Sequence, residues 1–420
     1  MSRRPLAGIA AAALAILLAW SAYWALRIGY ADYLALDHAL PATRSALRLT
    51  PSDPALHMQL ARALLSSKAP DPSIQRAAVE DSLNDALHLS PANSTLWIES
   101  ADAAEQLHDY PTAEADLLHA VQLDRTFSPR WLLAEFYARR QDDHRFWPAM
   151  RAALATSYDD VTPLFETCWN LTSQPETILP RAIPPRPEVL TQYLDFLLTK
   201  NRLDLAQPVA AQLLPHPTPA TLPTLLAYCD RLLWFNQPIP ARHVWNVLSA
   251  ARLIPYPSVA GITNPAFEKP FLQQAFDWRL ASAPGISAQH DPALLTFEFS
   301  GKQIEHAELA SQFVLLAPAT TYRLTVSSRN ETDVAALIPG IVRTPDTGVH
   351  LHLIQSETHL DFLASAPPVQ GPDRQPQTQT YPFTTPLNSN LFRLTVTYDR
   401  TYGTTRFEGA VSLSQLQLAK

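Results

Sequence analysis

The sequence predicts a multidomain α + β protein with an N-terminal transmembrane helix, an α-helical repeat array and a C-terminal antiparallel β-sandwich. Three observations predict it: an unbroken apolar run near the start, a short phrase that recurs after it, and a change to alternating polarity after Ile254. The predicted domains are residues 1–29 (cytoplasmic tip and membrane anchor), 30–158 (regular repeats), 159–259 (divergent helical hairpins) and 260–420 (sandwich).

Composition excludes several classes of protein. A chain of 420 residues, 47% of them hydrophobic, is long and apolar enough for several packed domains. Both signs of charge are spread along the chain and the net charge is −7, so no concentrated basic surface for nucleic acid is expected. With 10 glycines the sequence has no Gly-rich phosphate loop, and no cofactor is expected. Cys168 and Cys229 are expected to be buried thiols, with a disulfide as the alternative in an exported body.

The apolar run extends from Leu6 to Leu26 and contains 21 uncharged residues. As a helix it spans roughly 30 Å, the thickness of a bilayer core. Arg3 and Arg4 precede it, which favours a cytoplasmic N-terminus and places residues 30–420 outside the cytoplasm, in the periplasm. Aromatic residues typical of a membrane interface cluster at its far end, at Trp20, Tyr23, Trp24 and Tyr30.

A cleaved signal peptide is the alternative interpretation of this run. Its cleavage site should consist of small residues, whereas the candidate site here is interrupted by Tyr23 and Trp24. An uncleaved anchor that holds the chain in the membrane through residues 6–26 is therefore expected.

A short phrase recurs in the next part of the chain. Ala-Leu-x-Leu-x-Pro at residues 46–51 returns at residues 86–91 and, in altered form, at residues 120–125, with spacings of 40 and 34 residues. The second spacing is the tetratricopeptide (TPR) period, and the first is that period with an insertion near residues 68–73. Counting from Pro91 places small or large residues where that family has them, at Trp97, Ala101, Ala113 and Ala120.

The region therefore resembles the TPR family over about residues 35–158. Trp131 repeats the position of Trp97 one period later, although Glu135 replaces the following small residue. Two more hairpins, at about 186–214 and 219–250, are expected from an echo at an offset of 35 residues.

The resemblance implies a concave groove, lined by the first helix of each repeat, that binds peptides. The groove positions transferred by register carry mixed charges and one aromatic side chain. Such a surface would suit an extended segment of a protein partner. An ordinary solvated helix face remains the alternative. The implied groove residues are Arg62, Asp102, Glu105, Phe136, Arg139 and Arg140.

The C-terminal part alternates with a period of two, as half-buried strands do. The runs are residues 294–299, 321–327, 349–354, 391–398 and 405–418. With the opening Asn-Pro-Ala-Phe-Glu at residues 264–268, they resemble the jelly rolls of carbohydrate-binding modules. Trp278 could stack on the apolar face of a sugar and so contact a glycan, but Phe276 and Leu280 flank it at alternate positions, so a core position is the favoured interpretation. The resemblance to jelly rolls also implies Glu268 as the natural carboxylate for a structural calcium ion.

No catalytic or metal site is expected, and the protein is predicted not to be an enzyme. His350 and His352 face one side of a strand near His359, but a metal needs a third ligand and no carboxylate has a suitable spacing. Glu305, His306 and Glu308 could form an acid–base group; a solvated strand edge is the simpler interpretation.

Three functions follow from these features. The leading one is a non-enzymatic scaffold or adaptor that binds an envelope protein through the repeats. The joint resemblance to repeat proteins of bacterial envelope and exopolysaccharide systems implies the alternative, a glycan-binding accessory protein of polysaccharide assembly or secretion that acts through the sandwich. A hydrolase with an unrecognised site is the third.

Overall fold

The computed structural model describes residues 4–67, 71–331, 347–364, 366–369, 376–402, 406 and 408–420, and for residues 4–11 it describes the backbone only. The chain divides into two compact units, Met1–Pro184 (unit 1) and Pro185–Lys420 (unit 2), so that the last helical hairpins belong to the same unit as the sandwich. Arg3, residues 68–70 of the expected insertion, and Thr405 and Phe407 of the last expected strand lie outside the described residues.

Unit 1 is helical. Its helices are α1 (Arg4–Ala35), α2 (Leu40–Leu49), α3 (Pro54–Ser66), α4 (Pro72–Leu89), α5 (Ser94–Gln106), α6 (Tyr110–Leu123), α7 (Phe127–Arg139), α8 (Asp143–Thr156), α9 (Thr162–Leu171) and α10 (Ile178–Ala182), with a 3₁₀ turn at Pro175–Thr177.

Unit 2 begins with four helices and continues into nine strands among the described residues. The helices are α11 (Pro187–Thr199), α12 (Leu203–Leu213), α13 (Leu222–Trp234) and α14 (Pro238–Ala250). The strands are β1 (Arg279–Leu280), β2 (Ile286–Asp291), β3 (Leu294–Ser300), β4 (His306–Leu315), β5 (Thr321–Asn330), β6 (Gly348–Gln355), β7 (Gln377–Thr384), β8 (Leu391–Asp399) and β9 (Glu408–Ala419).

Helix starts in unit 1 combine a capping side chain with, in several cases, a proline in the first turn. The side chain of Asp53 accepts a hydrogen bond from the Ala55 amide at 2.9 Å, and Asp71 accepts one from the Ser73 amide at 2.8 Å. Proline follows each cap, where its missing N–H costs nothing and its fixed φ suits the first turn. The abundance of proline is therefore explained in part by repeated helix starts.

Small residues bring paired helices together, as the repeat register predicts. Helices α3 and α4, α5 and α6, and α7 and α8 pack as pairs. The alanines at the close contacts are at most 2% exposed, namely Ala61, Ala86, Ala101, Ala113 and Ala120. Together with the apolar helix α1 and the two antiparallel sheets, this TPR-like array confirms the predicted fold class.

Trp97 is less buried than a large residue that fills the gap between neighbouring helix pairs would be. Its ring is partly exposed, and its Nε1–H donates to the Pro91 carbonyl at 2.8 Å. One repeat earlier, Nε2 of His57 lies 2.9 Å from the Pro51 carbonyl. The two side chains thus occupy equivalent positions, and each fastens the loop before its helix.

We expect Ala101→Leu to lower the free energy of unfolding of unit 1 by about 1–3 kcal/mol, because Ala101 is 2% exposed and added methylenes overpack a filled contact. Urea denaturation measures the change. Asp102→Leu, at the next and exposed position, is the matched control and should change stability little. Equal midpoints for Ala101→Leu and the wild type would show that the repeat register is wrong.

The sandwich consists of two antiparallel sheets. One has the strand order β1-β4-β8-β6 and the other β2-β3-β9-β5-β7. Alternate residues point into a shared core, as Val349, Leu351 and Leu353 do from β6. The intervening residues of β6 and β8 therefore form the outer face of the four-stranded sheet.

Both cysteines are buried and free. Burial raises the pKa of the Cys168 thiol to about 12 and raises that of Cys229 as well, so neither is a reactive thiolate at neutral pH. They behave as small core residues, as the sequence predicts.

Candidate functional site

The expected groove is the surface formed by the first helices of successive repeats in unit 1, α3, α5 and α7. Between α3 and α5 it holds a cavity of about 520 Å³. Polar side chains of both helices line it, as an extended polar segment would require. They are Gln59, Arg62, Ser66, Thr95 and Glu99.

Two ion pairs cross this groove from helix to helix. Arg62 of α3 contacts Glu99 of α5 at 2.5 Å, and Arg139 of α7 binds Glu105 of α5 with two hydrogen bonds of 2.9 and 2.7 Å. The hydrogen bond to Glu105 raises the pKa of Arg139, which stays charged. The side chains of Arg62 and Arg139 are 61% and 52% exposed. Exposed pairs are worth about 0–1 kcal/mol, so the charges of a bound segment can displace them.

The structure brings three of the expected groove residues, Arg62, Glu105 and Arg139, into these pairs. Asp102 is exposed on α5 and accepts a hydrogen bond from Gln106 at 2.9 Å. Arg140 lies just beyond α7, and its guanidinium stands 3.7 Å from the centroid of the Tyr110 ring.

Phe136 corrects the expected set. It is 3% exposed and packs edge-on against Tyr137, so its ring is part of the core and not of the groove surface. The family register places this position on the groove, but its burial is set by the tertiary packing of unit 1.

Gln59 and Glu99 were not predicted from the sequence. The Gln59 amide donates to the Ala35 carbonyl at 2.7 Å and thereby links α3 to the end of α1. Glu99 lies three residues before Asp102, on the same face of α5. Helical spacing around the expected residues was thus a signal that could have found Glu99.

A second cavity, of about 590 Å³, lies between α4, α5 and α6. Asp116 is buried there and accepts a hydrogen bond from Ser100 at 2.6 Å, and burial raises the pKa of its carboxyl group. The Trp97 and His119 rings pack at 4.2 Å, with Trp97 on the wall of this cavity. In the sequence, the position of Asp116 within the apolar run of α6 could have predicted a buried carboxylate.

The sandwich holds a polar cluster on the outer face of the four-stranded sheet. Nδ1 of His352 lies 2.6 Å from Asp361, and its Nε2 lies 2.9 Å from the Thr397 hydroxyl and 3.5 Å from Asp399. Hydrogen bonds to Asp361 and Asp399 raise the pKa of His352 to about 9. Both ring nitrogens are thus engaged, which leaves no lone pair free for a metal.

The other chemical candidates are paired as well. Glu305 contacts Arg400, Glu308 contacts Arg393, and His306 contacts Asp399. Each of these three side chains therefore has its own partner, and partly exposed pairs of this kind contribute little to stability. Within the described ranges there is no group of three or more His, Cys, Asp or Glu that could hold a metal ion.

The structure places Trp278 in the core and does not support a glycan contact there. It is 0% exposed and its ring packs 5.5 Å from that of Phe267, so it is a core residue that cannot stack on a sugar. Unexpectedly, helix α13 covers part of the outer face of the four-stranded sheet. The Trp234 ring meets the Phe313 ring edge-on at 5.1 Å, and the Arg393 guanidinium stands 5.1 Å from the centroid of the Trp234 ring.

The chain matches no family model and no curated protein. Among solved structures it is similar to a thermophilic TPR protein of Thermus thermophilus (23% identity, TM-score 0.28, 31% of this chain and 71% of that chain). It is also similar to a structure described as "CBM4 structure and function" (10%, 0.27, 38% and 98%) and to Pseudomonas aeruginosa pilF (17%, 0.23, 56% and 91%).

Proposed function

We propose that the protein is a non-enzymatic, membrane-anchored adaptor that binds an extended segment of a partner protein in the groove of α3, α5 and α7. The observation that carries the proposal is the polar cavity between α3 and α5, together with the exposed ion pairs that Arg62 and Arg139 make with α5. Repeat arrays commonly bind ligands on such a concave surface. Opposite charges along it can set the direction of the bound segment.

The membrane part of the proposal rests on α1. Residues Ala12–Ala35 form a helix with a mean hydropathy of 1.5, and none of its most apolar window is buried inside the protein. A helix of this length and composition can cross a bilayer. With Arg4 before it, we place the body of the chain, from residue 30 onward, on the extracytoplasmic side of the cell membrane, where an envelope protein would be the partner.

The sandwich is the less favoured binding domain. Its candidate glycan contact, Trp278, is buried, and Trp234 of α13 covers part of the outer face of the four-stranded sheet. Trp234 contacts Phe313 and Asp230 pairs with Arg279, so α13 is joined to the sheet, which suits a cap at the end of the repeat array.

A photo-crosslinking experiment tests the adaptor function. A photoreactive residue at Thr95, inside the groove, should link the full chain to one protein segment in native membranes, and a residue at Arg76 on α4 should not. The linked segment is then made as a peptide. Arg62→Glu combined with Arg139→Glu should weaken its binding about tenfold or more, because both changes repel carboxylates and remove guanidinium donors.

Two variants make the result specific. Arg76→Glu has the same charge change in a side chain that pairs with Glu80 and Asp109 outside the groove, and it should bind the peptide as the wild type does. Glu105→Arg combined with Arg139→Glu restores the ion pair in reversed order, so it tests binding with the pair intact. If the double arginine variant keeps its affinity and only deletion of the sandwich abolishes binding, the groove is not the site.

A further inference from the structure

Helix α1 belongs to the apolar span and to the repeat array at the same time. It continues without a break for nine residues beyond Leu26, to Ala35, and α2 runs back along this extension. Ala31 and Ala46 are both 0% exposed and form a small core with Leu56. At 1.5 Å per residue, this core begins about 8 Å from the end of the apolar run.

Specific contacts fix the position of α2 along the axis of α1. Nε of Arg27 donates to the Leu49 carbonyl at 2.6 Å, so the last residue of α2 lies level with the first residue after the apolar run. The Arg27 guanidinium also stands 4.7 Å from the centroid of the Trp24 ring. At the opposite end of the hairpin, Gln59 of α3 binds the Ala35 carbonyl and the Thr43 hydroxyl.

Two arginines lie on the outer surface of this hairpin. Arg44 and Arg48 are exposed and one helical turn apart, so they share a face of α2. Neither makes an ion pair with any residue in the described ranges of the chain. Arg48 is next to Leu49 and therefore level with Arg27, and Arg44 is about 6 Å farther from the apolar run.

We propose that the face of α2 with Arg44 and Arg48 binds the phosphate groups of phospholipid headgroups, so that the repeat array starts at the bilayer surface without a flexible linker. This inference rests on the proposed membrane anchoring through α1. The headgroup layer adds roughly 5–8 Å to each side of the bilayer core, the zone in which Arg48 lies and which Arg44 can reach with its long side chain. Guanidinium groups match phosphate geometry with paired hydrogen bonds.

Solid-state NMR of the full chain in phosphatidylcholine and phosphatidylglycerol bilayers tests the contact. With ¹³C at the arginine Cζ, dipolar coupling to the lipid ³¹P should reduce the signal of guanidinium groups that touch phosphate. Arg44→Gln combined with Arg48→Gln should lose part of this ³¹P-dependent reduction. Arg139→Gln combined with Arg140→Gln is the control and should retain all of it.

The two proposals fail in different ways. If alkaline carbonate releases the wild-type chain from membranes, α1 is not an anchor and the proposed membrane function is wrong. If the chain stays in the membrane but Arg44→Gln and Arg48→Gln leave the ³¹P effect unchanged, the headgroup contact is wrong and the anchor stands.

Discussion

Replacement of Trp245 by alanine is expected to lower the free energy of unfolding of unit 2 by about 3–5 kcal/mol, the usual cost of emptying a large buried aromatic site. Trp245, in α14, is 0% exposed. Its ring stacks on Tyr256 at 5.8 Å and meets Phe276 edge-on at 5.7 Å, and its Nε1–H donates to the Pro257 carbonyl at 3.2 Å. The cavity would therefore open between the last helix pair and the segment that leads into the sandwich.

The destabilisation caused by Trp245→Ala should extend to the sandwich through a series of contacts. The Tyr256 hydroxyl lies 2.9 Å from Asp277, which precedes the core residue Trp278. Asp230 of α13 accepts a hydrogen bond from the Ala275 amide at 2.9 Å and pairs with Arg279 of β1. Helices and sandwich are thus expected to unfold together.

Fluorine NMR of 5-fluorotryptophan during urea unfolding measures this directly, because Trp234 reports on α13 and Trp278 on the sandwich core. In Trp245→Ala both signals should change at one lowered midpoint. Trp234→Ala is the matched control: its ring is 52% exposed, so the loss should be about 1 kcal/mol. A Trp278 signal that keeps the wild-type midpoint in Trp245→Ala would show that the sandwich is an independent domain.

The sequence predicted the repeat helices because their signals are local. The recurring phrase that ends at Pro51 and Pro91 marks helix ends, and alanines at fixed offsets mark close contacts, so Ala101 could be assigned to a buried position. The packing of α2 against the extension of α1 was not predicted, because the apolar run dominates the pattern there and hides the role of Ala31.

Strands with clean alternation of apolar residues were predicted, whereas β1, β2, β4 and β7 were missed. The runs in β3, β5, β6 and β8 alternate cleanly, and the structure confirms strands there. Strand β4 was missed because a register shift between Glu308 and Ala310 breaks its alternation, and because Phe313, on its outer face, is buried under Trp234. Contacts between distant elements, which no local pattern contains, decide such cases.

The sequence predicted which residues lie on the candidate groove, but it did not predict the ion pairs between them. Register placed Glu105 and Arg139 on one surface, and they lie there. It could not show that they bind each other, or that Phe136 of the same helix is buried, since both depend on how neighbouring helices pack.

His352 is expected to make the stability of the sandwich depend on pH. Its pKa rises from 6.5 to about 9 in the folded protein because of Asp361 and Asp399, and its side chain is 26% exposed. A raised folded pKa means that the stabilisation is complete below pH 6.5 and is lost as the pH rises through 9. The shift corresponds to a contribution on the order of 3 kcal/mol.

The carboxylate partners of His352 set the lower pH limit of this stabilisation. Its hydrogen bonds lower the pKa of Asp361 and of Asp399, and those contributions are lost as the pH falls below the ordinary range of a carboxyl group. The cluster should therefore stabilise the sandwich most between about pH 4 and 6.5.

The measurement compares the urea midpoint of the Trp278 fluorine signal at pH values below 6.5 and above 9. His352→Gln should be less stable than the wild type at the lower pH and should approach it at the higher pH, because the neutral imidazole no longer attracts the two carboxylates. Asp361→Asn should reduce the pH dependence of the wild type, because it removes the largest cause of the raised pKa. If His352→Gln costs the same stability at both pH values, His352 acts through packing and its charge does not stabilise the fold.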